Sequence, residues 1–566
     1  MIILRQMGAK RHFSPLLYAA AIALLATGCK TYQEQNHVIQ YWRQGNMTNA
    51  VLEANKMVSK NQNNKDTIIW ELEQGAVLRG AGKYEDSNKA FDQAQNRIDK
   101  YAQEARVKLG NEAGALLSNQ ANLPYEGRSY DGIMLNTYKA LNYLQLGDPD
   151  KARVELIRAY QRQQDAVEDN KKRIAKVQAE SAKNTNSAAI NKAQSDPKFQ
   201  SQIQGVYTGL DNLKPYADYV NPFTVYLDGL FFMANAADGS DLERARKSLE
   251  RVASFAPDNT YVSQDLAAVN DVINGKPLSP TTYVIFETGC APMRDQIRID
   301  IPILVAKLSY IGAAFPTLKL QGDYVPSLTV IANGVTTVTT NTVVKETTVA
   351  ASGAGVTTND TTVTVSTTTA TNSAGTTVSS SSTVASNETA VAASGPVTAI
   401  ATNDPAVTTN SSSTTTINSV TVTTNNLTAT TSLVASMDSV VGLDFKNEMP
   451  VVITKTIAST VAKAVAAYAA NQAASQQSDI AGLFMQLGTA IYQAAVNIAD
   501  ERTWTTLPKE FQVCRLPTPP DRKMELQVNA NGQKIPVTIE DGTINIVYVR
   551  SITAAGPVLV TQFKLK

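Results

Sequence analysis

The chain is 566 residues long and 60.8 kDa, and 43% of it is hydrophobic, which is enough apolar material for several cored domains. Its 51 lysines and arginines against 50 aspartates and glutamates exclude the cationic surface of a nucleic-acid binder. Two histidines and three cysteines exclude a His-rich zinc site and a disulfide-dense scaffold.

Residues 1–28 read as a secretory signal. Arg5, Lys10 and Arg11 form a basic n-region with no acid. The apolar run Leu16–Leu25 is too short to cross a bilayer as a helix. It ends in Leu25-Ala26-Thr27-Gly28-Cys29, which resembles a bacterial lipobox, with Ala26 where leucine is more usual. The resemblance implies acylation of Cys29. Each buried acyl CH₂ contributes roughly 0.8 kcal/mol, so three chains would hold the protein on a membrane. Lys30 is not the aspartate that retains many lipoproteins at the inner membrane, so the outer membrane, periplasmic face, is expected. Cleavage would leave His37 as the last histidine, beside the tether, which argues against a His-based catalytic triad.

Residues 29–275 are polar, helix-patterned and repetitive. Tyr41, Gly45, Ala50 and Ala54 set a spacing. It recurs at Gly75, Leu78, Gly82, Tyr84, Phe91 and Ala94, and again at Ala140, Tyr143, Gly147, Ala152, Leu156 and Ala159. A looser copy reads Gly229, Phe232, Ala245, Leu249, Val252 and Pro257. The skeleton resembles the tetratricopeptide repeat, a pair of antiparallel helices per unit. Gly45, Gly82 and Gly147 would end first helices, and Gly75, Ala140 and Gly229 would let helices approach closely. The third copy continues as a charged helix to about Lys183, and 184–200 reads as a loop.

In such a stack the first helices line a concave side. Here that side would show Ile39, Trp42, Ile69, Leu72, Met134, Leu141, Leu144, Phe223, Leu230 and Met233. An open apolar row of that size is a liability. Two readings stand: a groove for a partner's apolar segment, or a row covered by the 160–183 helix or the C-terminal domain. Arg153, Glu155, Arg158 and Arg162 form a charged stripe on the third copy's second helix. It reads as a solvated face with a Glu155–Arg158 pair, or as a site for a partner's anionic group.

Residues 276–332 and 433–566 read as an α+β domain interrupted by a Thr/Ser/Val-rich tract over 333–432. Strands are expected at Thr282–Glu287, Gln296–Ile303 and Leu308–Phe315. The tract carries only five charges and is expected to be disordered or loosely hairpinned. Helices are expected at Pro450–Ala470 and Ile480–Ala499, both too polar to span a membrane. Strands follow at Glu510–Leu516, Lys523–Asn529, Gln533–Glu540, Gly542–Arg550 and Val558–Lys564. Asn531-Gly532 and Asp541-Gly542 give hairpin turn signals. Cys290 and Cys514 could bridge in an oxidising compartment or remain two buried thiols. Asp500 and Glu501 are adjacent, so they do not form a glycosidase pair, and pairing with Arg502 is expected. No phosphate loop, dinucleotide fingerprint or His-Glu-x-x-His site is present, so no cofactor or metal is expected.

Five segments carry a wider resemblance: Asn136–Gln163, Asn221–Leu230 (NPFTVYLDGL), Glu287–Pro302 (ETGCAPMRDQIRIDIP), Asp444–Pro450 (DFKNEMP) and Asp500–Pro517. They resemble a family of bacterial lipoproteins with a tetratricopeptide-like first half and an α+β second half. That resemblance implies an envelope role and no particular activity. The expected function is a non-enzymatic scaffold, held at the membrane by its lipid and binding another envelope protein. A cell-wall binding or remodelling protein, or a part of a surface or export assembly, is the alternative. Oligomeric state is left open.

Overall fold

The fold is that of a computed structural model describing residues 36–107, 120–183, 187–213, 216–217, 219–301, 311–352, 355–371, 377–391, 410–475 and 498–566. The signal segment and Cys29 lie outside the described residues, as does nearly all of the helix expected over Ile480–Ala499.

The first half is helical, and several of its helices pack as consecutive pairs. They are α1 (Val38–Arg43) with α2 (Met47–Lys60), and α3 (Thr67–Gly80) with α4 (Tyr84–Val107). Then come α5 (Ser129–Gln145) with α6 (Pro149–Ala182), and, past α7 (Ser187–Gln194) and α8 (Pro197–Tyr207), α9 (Pro222–Ala234) with α10 (Gly239–Phe255). α11 (Thr260–Ile273) closes the half. Three of the turns hinge on glycines in the left-handed region: Gly45 at φ +69, Gly82 at +74 and Gly147 at +71. The second helices start on side-chain caps: Asn46 accepts from the Asn49 amide and Asp148 from the Lys151 amide. At Gly75 a Cβ would stand 2.4 Å from Phe91, and at Gly229 one would stand 2.8 Å from Leu249. Those glycines are therefore what lets each pair close.

α7 and α8 replace the loop expected over 184–200. Ile190, Ala193, Phe199 and Ile203 recur at helical spacing and are buried against Ile299, Ile301, Phe315 and Ile457. The flanking residues are polar enough to hide that short apolar stripe.

The second half is built on a five-stranded sheet in the order β13-β12-β1-β9-β8. Its strands are β1 (Thr281–Thr288), β8 (Ser432–Ser436), β9 (Glu510–Pro517), β12 (Ile544–Ser551) and β13 (Val558–Lys564). β1 runs parallel to β12 and antiparallel to β9, with Tyr283 opposite Ile546 and Arg515. All eight residues of β1 are buried, because both faces of the sheet are covered. Tyr283, Ile285, Phe511, Val513, Ile546 and Tyr548 join the helical half in one core. Val284, Phe286, Cys514, Leu516, Val547 and Val549 pack the other way, onto Leu328, Val330, Leu526 and Val528. The order of layers is helix pairs, sheet, second sheet.

That second sheet holds β10 (Lys523–Val528), β11 (Lys534–Thr538) and four strands from the Thr-rich tract: β4 (Leu328–Ser352), β5 (Gly355–Thr371), β6 (Thr377–Val391) and β7 (Asn410–Thr430). The described part of the tract is antiparallel sheet, the hairpinned of the two states expected, and its Val-Thr alternation suits that state. A β2 (Met293–Ile301) and β3 (Ile311–Lys319) ribbon and α12 (Met437–Ser475) complete the half. Asn531-Gly532 makes its hairpin, with Gly532 at φ +71. Asp541-Gly542 does not: β11 pairs with β10 in one sheet, whereas β12 leaves to pair with β1 in the other.

Candidate protein-interaction groove

The apolar row expected on a concave side sits on the first helix of each pair. Trp42 lies on α1, Ile69 and Leu72 on α3, Met134, Leu141 and Leu144 on α5, and Phe223, Leu230 and Met233 on α9, and all nine are buried. The groove is therefore not open to a partner. The cover is the C-terminal half. The 160–183 part of α6 turns the other way, towards α12, where Asn170 donates to the Asn447 carbonyl at 3.4 Å. Phe223 stacks on Phe511 of β9, with ring centroids 3.8 Å apart and planes 5° apart.

The deepest cover is a segment without helix or strand, residues 498–507, lying against the helix pairs. Trp504 packs edge-on to Phe91 at 5.8 Å and to Tyr138 at 5.9 Å. Glu73 of α3 is fully buried and takes three bonds from this segment. They come from the Thr505 amide at 2.7 Å, the Thr505 hydroxyl at 2.5 Å and the Thr506 hydroxyl at 2.8 Å. Asn36 donates to the Thr505 hydroxyl at 3.0 Å. Arg502 donates to the carbonyls of Lys65, Leu123 and Gln120 at 3.1, 2.9 and 3.1 Å. A segment outside helix and strand leaves backbone and hydroxyl donors to satisfy, and the buried Glu73 carboxylate meets three of them here.

Arg502 also pairs with Asp500 at 2.7 Å, the pairing expected from their adjacency. Beside it Glu448 of α12 bridges Arg128 and Arg294. Burial alone would raise the Glu448 carboxyl, but the two guanidiniums hold it well below the usual carboxylate range. Asp444, one helical turn away, is pushed up to about 6 by burial and by the charge of Glu448. Asp131, which accepts from the Tyr125 hydroxyl, is raised to about 6 by burial.

The charged stripe is also committed inside the fold and is not a free anion site. Arg153 donates to Asp241 at 2.8 Å and to the Asn235 carbonyl at 2.6 Å, across to the next pair. Glu155 is buried and holds Lys139 at 2.9 Å as well as Arg158 at 2.8 Å. Arg162 reaches back to Asp99 at 2.7 Å and to Asn136 at 2.7 Å. Two of the four, Arg153 and Arg162, thus tie one helix pair to its neighbours, and Glu155 braces its own pair.

Cys290 and Cys514 are two separate buried thiols, not a disulfide. Cys514 sits opposite Val284 in the register, six positions before Cys290 in sequence. Strand rise of roughly 3.3 Å per residue places them beyond bridging distance. Among the described residues no group of His, Cys, Asp and Glu is placed to hold a metal ion. Among them, too, no helix is long and apolar enough to cross a membrane.

No family model, curated protein or solved structure matches this chain.

Sequence reading missed Glu73, Arg128, Arg294 and Glu448, each of which acts on a residue far away in the chain. A partial signal existed. Glu287, Arg294, Asp444, Glu448, Asp500 and Arg502 all lie in the segments that carried the family resemblance.

Proposed function

We propose that the protein is a membrane-anchored, periplasm-facing scaffold of the bacterial envelope, tethered through Cys29, with a tetratricopeptide-like helical half that binds rather than catalyses. The observation that supports this best is the 498–507 segment: the helical half holds an irregular stretch of chain through the buried Glu73, which takes its Thr505 amide and its Thr505 and Thr506 hydroxyls. The chain supplies its own occupant, so the concave face serves to lock the two halves together. Partner contact then falls on the outer side of the stack. Leu52 on α2 and Val154 and Ile157 on α6 are large apolar side chains left 61%, 45% and 43% exposed. A lipid tether raises the local concentration of any envelope partner, so modest outer contacts suffice.

The test is photocrosslinking in cells from positions 154 and 157, in the natural chain and in Cys29→Ala. The reading expects one dominant envelope protein in the crosslink, and loss of both that crosslink and membrane fractionation in Cys29→Ala. A natural chain that fractionates away from membranes, or that crosslinks to nothing, overturns it.

A surface-assembly role is favoured by one specific observation. Among the described residues β7 pairs only with β4; it is 21 residues long and carries no charge and no proline, the usual guards of an edge strand. Proteolysis of intact cells tests it: cleavage within 334–430 supports surface display, and full protection opposes it.

A further inference from the structure

Between the helical half and the five-stranded sheet, beside the filled groove, lies a pocket that is itself open to solvent. Trp42, Arg79, Tyr138, Glu287, Tyr548 and Arg550 line it, around some 440 Å³ of atom-free space that includes its opening to solvent. Four nitrogen donors in its wall are buried and make no hydrogen bond: Trp42 Nε1, Arg79 Nε, Arg550 Nε, and Arg550 Nη1, which faces the Glu287 carboxylate at 3.6 Å. Trp42 is 3% exposed and Arg550 5%. Buried donors are almost always paired, so four unmet ones in one pocket call for an acceptor.

The surrounding groups say what kind. Arg79 lies over two rings, 5.0 Å from the Tyr138 centroid and 4.6 Å from that of Tyr548. Arg550 lies 5.6 Å over Trp42 and donates through Nη2 to the Gly289 carbonyl at 2.9 Å. The pocket's one carboxylate, Glu287, accepts from the Tyr548 hydroxyl at 2.6 Å and stands 3.6 Å from Arg550. One carboxylate against two guanidiniums leaves a positive surplus behind aromatic walls, where water screens poorly.

We propose that this pocket binds a compact oxyanion, a carboxylate or a phosphate group, between Arg79 and Arg550 with the Trp42 indole as a third donor. Planar guanidiniums suit both groups, which offer several acceptor atoms where a single water offers two. The site adjoins the segment-filled groove, sharing Trp42 and Thr506 with it, and does not depend on the scaffold reading.

The test is calorimetric titration of the purified full-length chain with sodium acetate and with sodium phosphate, at ionic strength fixed by sodium chloride. Saturable binding of at least one anion is expected. Acetate alone would mark a carboxylate ligand, and phosphate alone a phosphate ester. Arg79→Leu should weaken binding by about tenfold or more, the effect of losing a charge-assisted bond. Trp42→Phe keeps the ring and loses only the N–H, and should weaken it several-fold. It carries the test if Arg79→Leu does not fold. Absence of saturable heat with both anions, or unchanged affinity in a folded Trp42→Phe and Arg79→Leu, overturns the proposal.

Discussion

Glu73 concentrates the argument at the scale of single residues. Its carboxylate has no exposure and accepts from three groups of the 498–507 segment. Glu73→Ala leaves an amide and two hydroxyls unmet, at roughly 1–3 kcal/mol for each group that stays dry. Urea unfolding should show a loss of about 3 kcal/mol or more. A loss under about 0.5 kcal/mol, the range of ordinary surface changes, would contradict the contact.

Asp444 makes a pH-dependent case. Its carboxyl is raised from an ordinary 3.8 to about 6 in the fold. Between those values the folded chain holds a proton that the unfolded chain has released, so stability falls as pH rises through that window. Asp444→Asn removes the titration. Above pH 6 it should be more stable than the natural chain, by up to roughly 3 kcal/mol, and the gain should vanish below about pH 4. Urea midpoints from pH 4 to pH 8 measure it. A gain that does not change with pH would show that Asp444 is not the titrating group. The Asp500–Arg502 pairing was legible because the two residues are near neighbours. The Glu73 bonds and the Glu448 bridge were not, because their partners lie hundreds of positions away and only packing brings them together.

The helix pairs show the same division at the scale of elements. Their glycine and alanine spacing is local information: turn conformation and close approach are fixed within a few tens of residues, and the pairs were legible. Gly75 and Gly82 separate the two causes. A methyl at Gly75 strikes the Phe91 ring at 2.4 Å, whereas Gly82 has open space and only a φ of +74 to satisfy. Gly75→Ala should cost about 1–3 kcal/mol by overpacking. Gly82→Ala should cost about 1 kcal/mol through backbone strain alone. Equal costs in urea unfolding would contradict the close approach of α3 and α4. α7 and α8 were read as a loop because their apolar stripe is short, and its partners are the β2–β3 ribbon and α12. Asp541-Gly542 misled for a related reason. A turn signal says that the chain reverses, not which sheet the next strand joins.

At the scale of the whole molecule, one core runs from Val38 to Leu565 through both halves. The apolar row on α1, α3, α5 and α9 was visible in the sequence; its cover was not, since nothing in a helix names the strand that will lie on it. A shared core makes the halves interdependent. Helical and sheet signals should therefore be lost together on thermal unfolding, apart from the strands of the Thr-rich tract. Trp504→Ala, which empties the space beside the Phe91 and Tyr138 rings, should lower the stability of both halves by about 3–5 kcal/mol. Loss of helix alone, with the five-stranded sheet intact, would show that the halves are separate folding units.

The account rests most on the claim that the concave face is filled by the chain's own 498–507 segment. Hydrogen exchange on the full-length chain, followed by mass spectrometry, tests it directly. Residues 503–507 should exchange as slowly as α3 and α5, because the Thr505 amide is released only when the helical half opens. Exchange of that segment at the rate of a free peptide, with α3 and α5 still protected, would mean an open groove and would contradict the account.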